Sequence, residues 1–271
     1  MKIDFGFEEL DELAFATASN VKIEKPLGQI FAKNLGTIIE LQQLIQTGLA
    51  LPDLDKLADT RRVRLAKAIK LGQKKAIFEG DGRRSWLMKC CWENEEEPDD
   101  WHDFCCSLEE GAVLAGFPKR NAQELVAATR ELVSNIFDHS GALSSGIAGF
   151  SIIDDELEIV VADSGIGVLE SLRTSPEFSA LRDSGEALQA ALADGVSRFG
   201  KRSGHGGGFR DLFRGLINLN GNLRFRSGDH ALNINGVSLG LSAARISQKV
   251  QLPGFIISIM CDTRALSRGP A

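Results

Sequence analysis

The stretch that most constrains how this chain can fold begins at Asn121. Leu125, Ala128, Leu132 and Ile136 recur at helical spacing, which predicts one apolar helix face. Asn121, with Glu124 three residues on, reads as the N-cap, and the helix is expected to run to about His139 and stop at Gly141. Two apolar runs follow at once, "GIAGFSIID" and "ELEIVVAD", joined by Asp154-Asp155, and they read as strands. Beyond them come a polar, helical stretch from Gly165 to about Gly200 and a glycine cluster opening the helix "FRDLFRGLINL". "NLRFRSG" and "HALNING" then read as a hairpin, and "GFIISIMCD" as a last strand. A long helix, mixed strands and antiparallel hairpins favour an α+β class, with a two-layer α/β sandwich in the C-terminal half.

The first 95 residues carry fewer chemical signals and are expected to form a mixed α/β region. Ile38, Leu41, Leu44, Ile45 and Leu49 lie at helical spacing, and "DTRRVRLAKAIKLGQKKAIF" reads as a second, basic helix. Its charges suit a solvated face, with contact to nucleic acid or an acidic partner as the other reading. "RRSWLMKCCWE" reads as a strand. The run "ENEEEPDD" at 93–100 is acidic and contains Pro98, so it is the best boundary. The expected division is a sensing or partner-binding region at 1–95 and a second domain at 100–265, where "DWHDFCCSLEEGAVLAGF" opens as a helix.

The net charge of −6 over 271 residues argues against general nucleic-acid binding. No uncharged run approaches the length of a membrane span, and "MKIDFGFEELDE" turns acidic at once, so a cytoplasmic protein is expected. Cys90, Cys91, Cys105, Cys106 and Cys261 make an odd number of cysteines, which fits reduced thiols. The order CC…HxxCC around His102 hints at zinc, but adjacent side chains of a strand point apart, and buried thiols are the simpler reading.

Three short segments carry the chemistry. On the 121–139 helix, Glu131 and Asn135 share a face one turn apart, and Asp138 and His139 extend it. An amide oxygen at Asn135 suits Mg²⁺, and a carboxylate at Glu131 could take a proton from a water or hydroxyl beside a phosphate. A wet polar helix face would look the same. Asp163 ends an apolar strand and starts Asp163-Ser164-Gly165-Ile166-Gly167. A carboxylate there could accept from an exocyclic amine such as that of adenine, and the glycines allow positive φ and close approach. A plain strand-ending turn uses the same residues. Gly204, Gly206, Gly207 and Gly208 open a helix, where backbone amides attract phosphate. A mobile linker is the other reading.

In this order, the set resembles the GHKL ATPase family, also called the Bergerat fold. "ELVSNIFDH" is similar to its N-box, "DSGIG" to its first glycine box, "GHGGGF" to its second, and "PGFIISI" to its closing strand. The resemblance spans about residues 120–262. Its "ELV-x-N-x-x-x-H" form is closest to anti-sigma-factor serine kinases and stand-alone histidine-kinase-like ATPase domains. It implies ATP and Mg²⁺ as cofactors. Glu131 would be the general base, Asn135 the Mg²⁺ ligand, and Asp163 the partner of the adenine amine. Gly165 and Gly167 would shape the adenine pocket, and Gly204, Gly206 and Gly208 would cradle phosphates in a lid. Asp138 and His139 would line the ribose or phosphate side, and Lys201 and Arg202 could reach a phosphate. Phe209 stands where the family commonly has leucine.

A full histidine kinase is disfavoured, because none of His102, His139, His205 and His230 sits in a phosphoacceptor context. The gyrase and mismatch-repair types need a downstream domain, and only nine residues follow Asp262. The expected function is a Mg-ATP-binding, slowly hydrolysing signalling switch whose N-terminal half meets a protein partner. The alternatives are an anti-sigma-type protein serine kinase and a non-catalytic ATP-binding scaffold. Many relatives of this fold dimerise, so a homodimer is compatible with the reading.

Overall fold

A computed structural model describes residues 2–21, 28–90, 98–193, 221–235 and 244–263. The chain begins with β1 (Lys2–Phe5), α1 (Phe7–Ala18), β2 (Gln29–Ala32), α2 (Leu35–Gln46) and α3 (Arg61–Lys70). A hairpin of β3 (Lys75–Gly80) and β4 (Arg83–Lys89) follows, then α4 (Asp99–Leu114) and α5 (Lys119–His139). Next come β5 (Ile147–Ile153), β6 (Glu156–Asp163), α6 (Gly167–Arg173) and α7 (Ser184–Ala193). The long strands β7 (Asn222–Ile234) and β8 (Arg245–Asp262) complete the described chain.

Six strands form one antiparallel sheet in the order β3-β4-β5-β6-β8-β7, beside a two-stranded parallel pair, β1-β2. The architecture is mixed α/β and agrees with the α+β expectation. Strand alternation sends residues to two faces. On β6, Leu157, Ile159 and Val161 join a core with α4, α5 and α7, around Phe104, Leu125, Ile136 and Leu188. Val160 and Ala162 join a second core with α1, α2 and α3, around Leu35, Ile38, Leu41 and Val63. Helices from the C-terminal half therefore cover one face, and the N-terminal elements cover the other. The sheet also runs across the acidic 93–100 segment, because β4 pairs with β5, so strands on both sides of that sequence boundary share one sheet.

Local chemistry explains most ends. Asn34 caps α2 by accepting from the Thr37 amide at 2.7 Å, and Glu9 reaches back to the Gly6 amide at 2.7 Å at the start of α1. Asp154, with φ of +56°, makes the two-residue turn from β5 to β6. Other expectations need correction. The basic helix stops at Lys70, because Gly72 takes φ of +98° and the next residues form β3. Asp81 and Gly82, both at positive φ, close the β3–β4 hairpin. Helix α5 starts at Lys119 behind Pro118, not at Asn121, which lies inside it. "NLRFRSG" and "HALNI" form one strand rather than a hairpin, bent by register shifts around Gly228.

Helix α2 is seated on the second face by buried charge. Glu158 on β6 accepts the first amides of α2, Leu35 at 2.8 Å and Gly36 at 2.7 Å, and the Arg62 guanidinium lies 3.3 Å away. Burial still pushes Glu158 above the ordinary carboxylate range against these opposing partners. Glu40, fully buried, receives Arg224 on both oxygens at 2.8 Å and also pairs with Arg226. Burial alone would raise Glu40, but the two guanidinium groups outweigh it and hold it below the usual range. Asp11 on α1 takes the other side of Arg224 at 2.7 Å and Lys249 at 2.8 Å. We expect Glu40→Ala to destabilise the protein by about 3–5 kcal/mol in urea unfolding, because two buried cations lose their shared carboxylate. A loss under about 1 kcal/mol would show that α2 is held by apolar contact alone.

Candidate functional site

Asp163 ends β6, and only 1% of it is exposed. It alternates with Val161 and Ile159, so its carboxylate lies on the α5 face of the sheet. Oδ1 accepts from the Gly165 amide at 2.6 Å. Oδ2 is buried and has no hydrogen-bond partner among the described residues. Burial, only partly offset by the Gly165 amide, pushes the carboxyl up to about 6. At neutral pH the group is therefore mostly an ionised acceptor in a site that penalises its charge.

The turn after Asp163 is tied on every side. The Ile166 amide donates to the Ser140 carbonyl at 2.9 Å, which joins the turn to the C-terminal end of α5. A Cβ at Gly165 would collide with that Ser140 carbonyl, so only glycine fits. The Ser164 amide donates to Ser145 Oγ at 2.9 Å. The Val168 amide donates to Ser227 Oγ at 2.9 Å, and that hydroxyl donates to the Gly254 carbonyl at 2.8 Å. From the second face, Gln43 Nε2 donates to the Asp163 carbonyl at 2.6 Å.

The structure refines the expected glycine roles. Gly167 has φ of +79°, as the sequence suggested, and opens α6. Gly165 is required by close approach rather than by positive φ. Gly254 at φ +65° packs against Asp163 and Gly165, and a side chain there would strike the Asp163 carbonyl. Gln43, Ser140, Ser145, Ser227 and Gly254 were missed by sequence reasoning. Only Gly254 carried a signal, since it lies in the quoted "PGFIISI".

Helix α5 carries the other expected residues. Leu125, Leu132 and Ile136 face the core. Glu131, Asn135 and His139 are half-buried, and Asp138 is exposed and accepts from Ser134 Oγ at 3.3 Å. The Ser140–Ile166 bond sets the Asp138–His139 end of α5 against the Asp163 turn. Asn135 then lies about 7 Å, and Glu131 about 13 Å, up the helix axis from that junction. Lys201, Arg202, Gly204, Gly206 and Gly208, expected on the phosphate side, lie outside the described residues.

Cys90, Cys105 and Cys261 are buried in the core, and burial pushes the Cys261 thiol up to about 12. Cys106 is exposed, with its sulfur 3.5 Å from His102 Nε2, and Cys91 lies outside the described residues. Among the described residues, no three His, Cys, Asp or Glu side chains form a group suited to a metal ion. No described helix is long and apolar enough to cross a membrane. Comparisons with protein-family models, curated proteins and solved structures found no match.

The raised carboxyl carries a stability consequence. Between about pH 4 and 6 the folded state holds a proton on Asp163 that the unfolded chain has released, so stability falls as pH rises through that window. Asp163→Asn keeps the acceptor for Gly165 and removes the charge. We expect it to raise stability at pH 7.5 by up to about 3 kcal/mol, the equivalent of the two-unit shift, with the gain shrinking towards pH 4. Chemical denaturation at the two pH values checks this, and a variant less stable than wild type at pH 7.5 would contradict it.

Proposed function

We propose that this chain is a Mg-ATP-binding module of the GHKL type, acting as a nucleotide-dependent switch with slow hydrolysis. The observation that carries the reading is the buried Asp163 carboxylate, whose Oδ2 lacks a partner among the described residues. A buried anionic acceptor without a partner at the end of a sheet strand suits the exocyclic amine of adenine. Gly165 and Gly167 let the turn pack closely on Ser140, Ser227 and Gly254, which holds Asp163 in place. The Ser140–Ile166 bond joins the end of α5 to the same turn, so Asn135 and Glu131 would lie at increasing distance from a base held there.

Bound Mg-ATP would supply the reactive γ-phosphoryl group and the cation that neutralises it. The chain's own part is binding, orientation and proton movement. Asp163 would orient the base through Oδ2. Asn135 would offer its amide oxygen, a hard ligand suited to Mg²⁺, to the cation. Glu131 would take the proton from an attacking water at its carboxylate. Gly204, Gly206 and Gly208, with Lys201, would receive the phosphates, a role that rests on their motif. His139 and the exposed Asp138 would border the sugar and phosphate side.

The resemblance to anti-sigma-type kinases leaves the fate of the phosphoryl group to experiment. Calorimetry should detect Mg-ATP binding to wild type, no binding to Asp163→Ala, and weakened, Mg-dependent binding to Asn135→Ala. With labelled ATP, slow release of free phosphate that falls at least about tenfold in Glu131→Gln supports the switch reading. Transfer of label to a lysate protein would replace it with the kinase alternative, and absence of Mg-ATP binding would overturn the proposal.

A further inference from the structure

Strand β3 is one end of the six-stranded sheet, and no strand among the described residues pairs with its outer side. The direction of its backbone bonds follows from its neighbours. The Lys89 amide donates to the Lys74 carbonyl at 2.9 Å, so these two partners form a hydrogen-bonded pair. Alternation then turns the backbone groups of Ala76, Phe78 and Gly80 towards β4. The amides and carbonyls of Lys75, Ile77 and Glu79 point the other way, out of the sheet edge. Beyond β4, the Cys90 amide donates to the Gly146 carbonyl at 2.8 Å, away from β3, as the same alternation requires.

Edge strands usually carry a bulge or a proline that keeps other strands away. At the opposite end of the sheet, β7 is bent by register shifts around Gly228. Strand β3 has neither device: it contains no proline, and its pairing with β4 is unbroken from Lys75 to Gly80. Ile77, in its middle, is 42% exposed, so an apolar side chain stands at the open edge. Lys75, Ile77 and Glu79 lie on one face of the strand, in the order cation, apolar, anion. That order is complementary to itself. When a second β3 runs antiparallel with Ile77 opposite Ile77, each Lys75 stands opposite the other copy's Glu79. The residues brought opposite are also those whose backbone groups point outward. Within each copy Lys75 already pairs with Asp100, and Glu79 lies 3.8 Å from Arg84, so signs alternate along the joined row.

We propose that the outer edge of β3 pairs antiparallel with β3 of a second copy of this chain, about a two-fold axis at Ile77, and joins the two six-stranded sheets into one. The outward amides and carbonyls bond across the join, Ile77 meets Ile77, and Lys75 and Glu79 exchange ion pairs. The contact is short, so the association is weak and depends on concentration. Strand β3 holds none of the residues assigned to the nucleotide, and the pairing stands apart from that reading.

The test is sedimentation velocity on the full chain without nucleotide. At about 500 µM protein, enough to populate a complex of sub-millimolar affinity, the wild type should sediment as a dimer and return to monomer on dilution. Ile77→Pro removes an outward amide while leaving the bonds to β4, so it should abolish the dimer and keep the wild-type melting temperature. Two charge variants keep the test decisive if the proline variant folds poorly. Lys75→Glu and Glu79→Lys each set like charges opposite and should each weaken association about tenfold. An equal mixture of the two should associate as the wild type does, because a pair made of one of each is again complementary. A wild type that stays monomeric at the highest concentration overturns the proposal. So does a dimer kept by a folded Ile77→Pro, or a mixture that associates no more tightly than either charge variant alone.

Discussion

The Glu40 carboxylate, shared by Arg224 and Arg226 between helix and sheet, is the interaction on which the arrangement depends. All three side chains are buried, so none can be removed without stranding charge in a low-dielectric interior. The pairing sets where α2 lies along the second face of the sheet. Glu158 fixes the start of the same helix through its first amides. Once both are in place, Gln43 and Gln46 in the last turns of α2 come against the Asp163 carbonyl and Ser164 hydroxyl. The N-terminal elements thus reach the candidate site through hydrogen bonds as well as through the second apolar core. Burying charge in this way is a weak route to stability, but it is a strict way to specify one register of helix on sheet.

Asp163 is the opposite case. Its partners hold it in place without compensating its charge: one amide for Oδ1, none for Oδ2 among the described residues, and burial on all sides. Such a group costs stability at neutral pH, and the surrounding turn is built to keep it there. Ser140, Ser145, Ser227 and Gln43 each hold the segment from a different direction. An uncompensated acceptor so heavily supported suits a site that is to meet a donor.

The sequence made part of this legible. Helix α5 and the β5–β6 hairpin follow from local periodicity and from Asp154-Asp155, and both stand where expected except that α5 starts at Lys119 rather than after Asn121. The pieces that failed were decided by non-local contacts or unread turns. Helix α3 was extended through Gly72 into β3, although Asp81-Gly82 marked a hairpin. Strand β7 was split at Ser227-Gly228-Asp229, because a bulge and a turn use the same residue types. At the site, Asp163 and Gly167 were readable from their motif. Gln43, Ser227 and Glu40 were not, because their roles come from partners 59 to 184 residues away in the chain, to which no local pattern points.

The central claim is that Asp163 reads the amine of an adenine base. The most direct measurement compares Mg-ADP with Mg-inosine diphosphate by calorimetry at pH 7.5, since the two differ at the group that would face Oδ2. An amine donates to the carboxylate, whereas the inosine oxygen is a second acceptor against a buried charge. The account predicts that ADP binds and that the inosine nucleotide is weaker by about a hundredfold or more. Equal affinity for the two would contradict it and would remove Asp163 from base recognition.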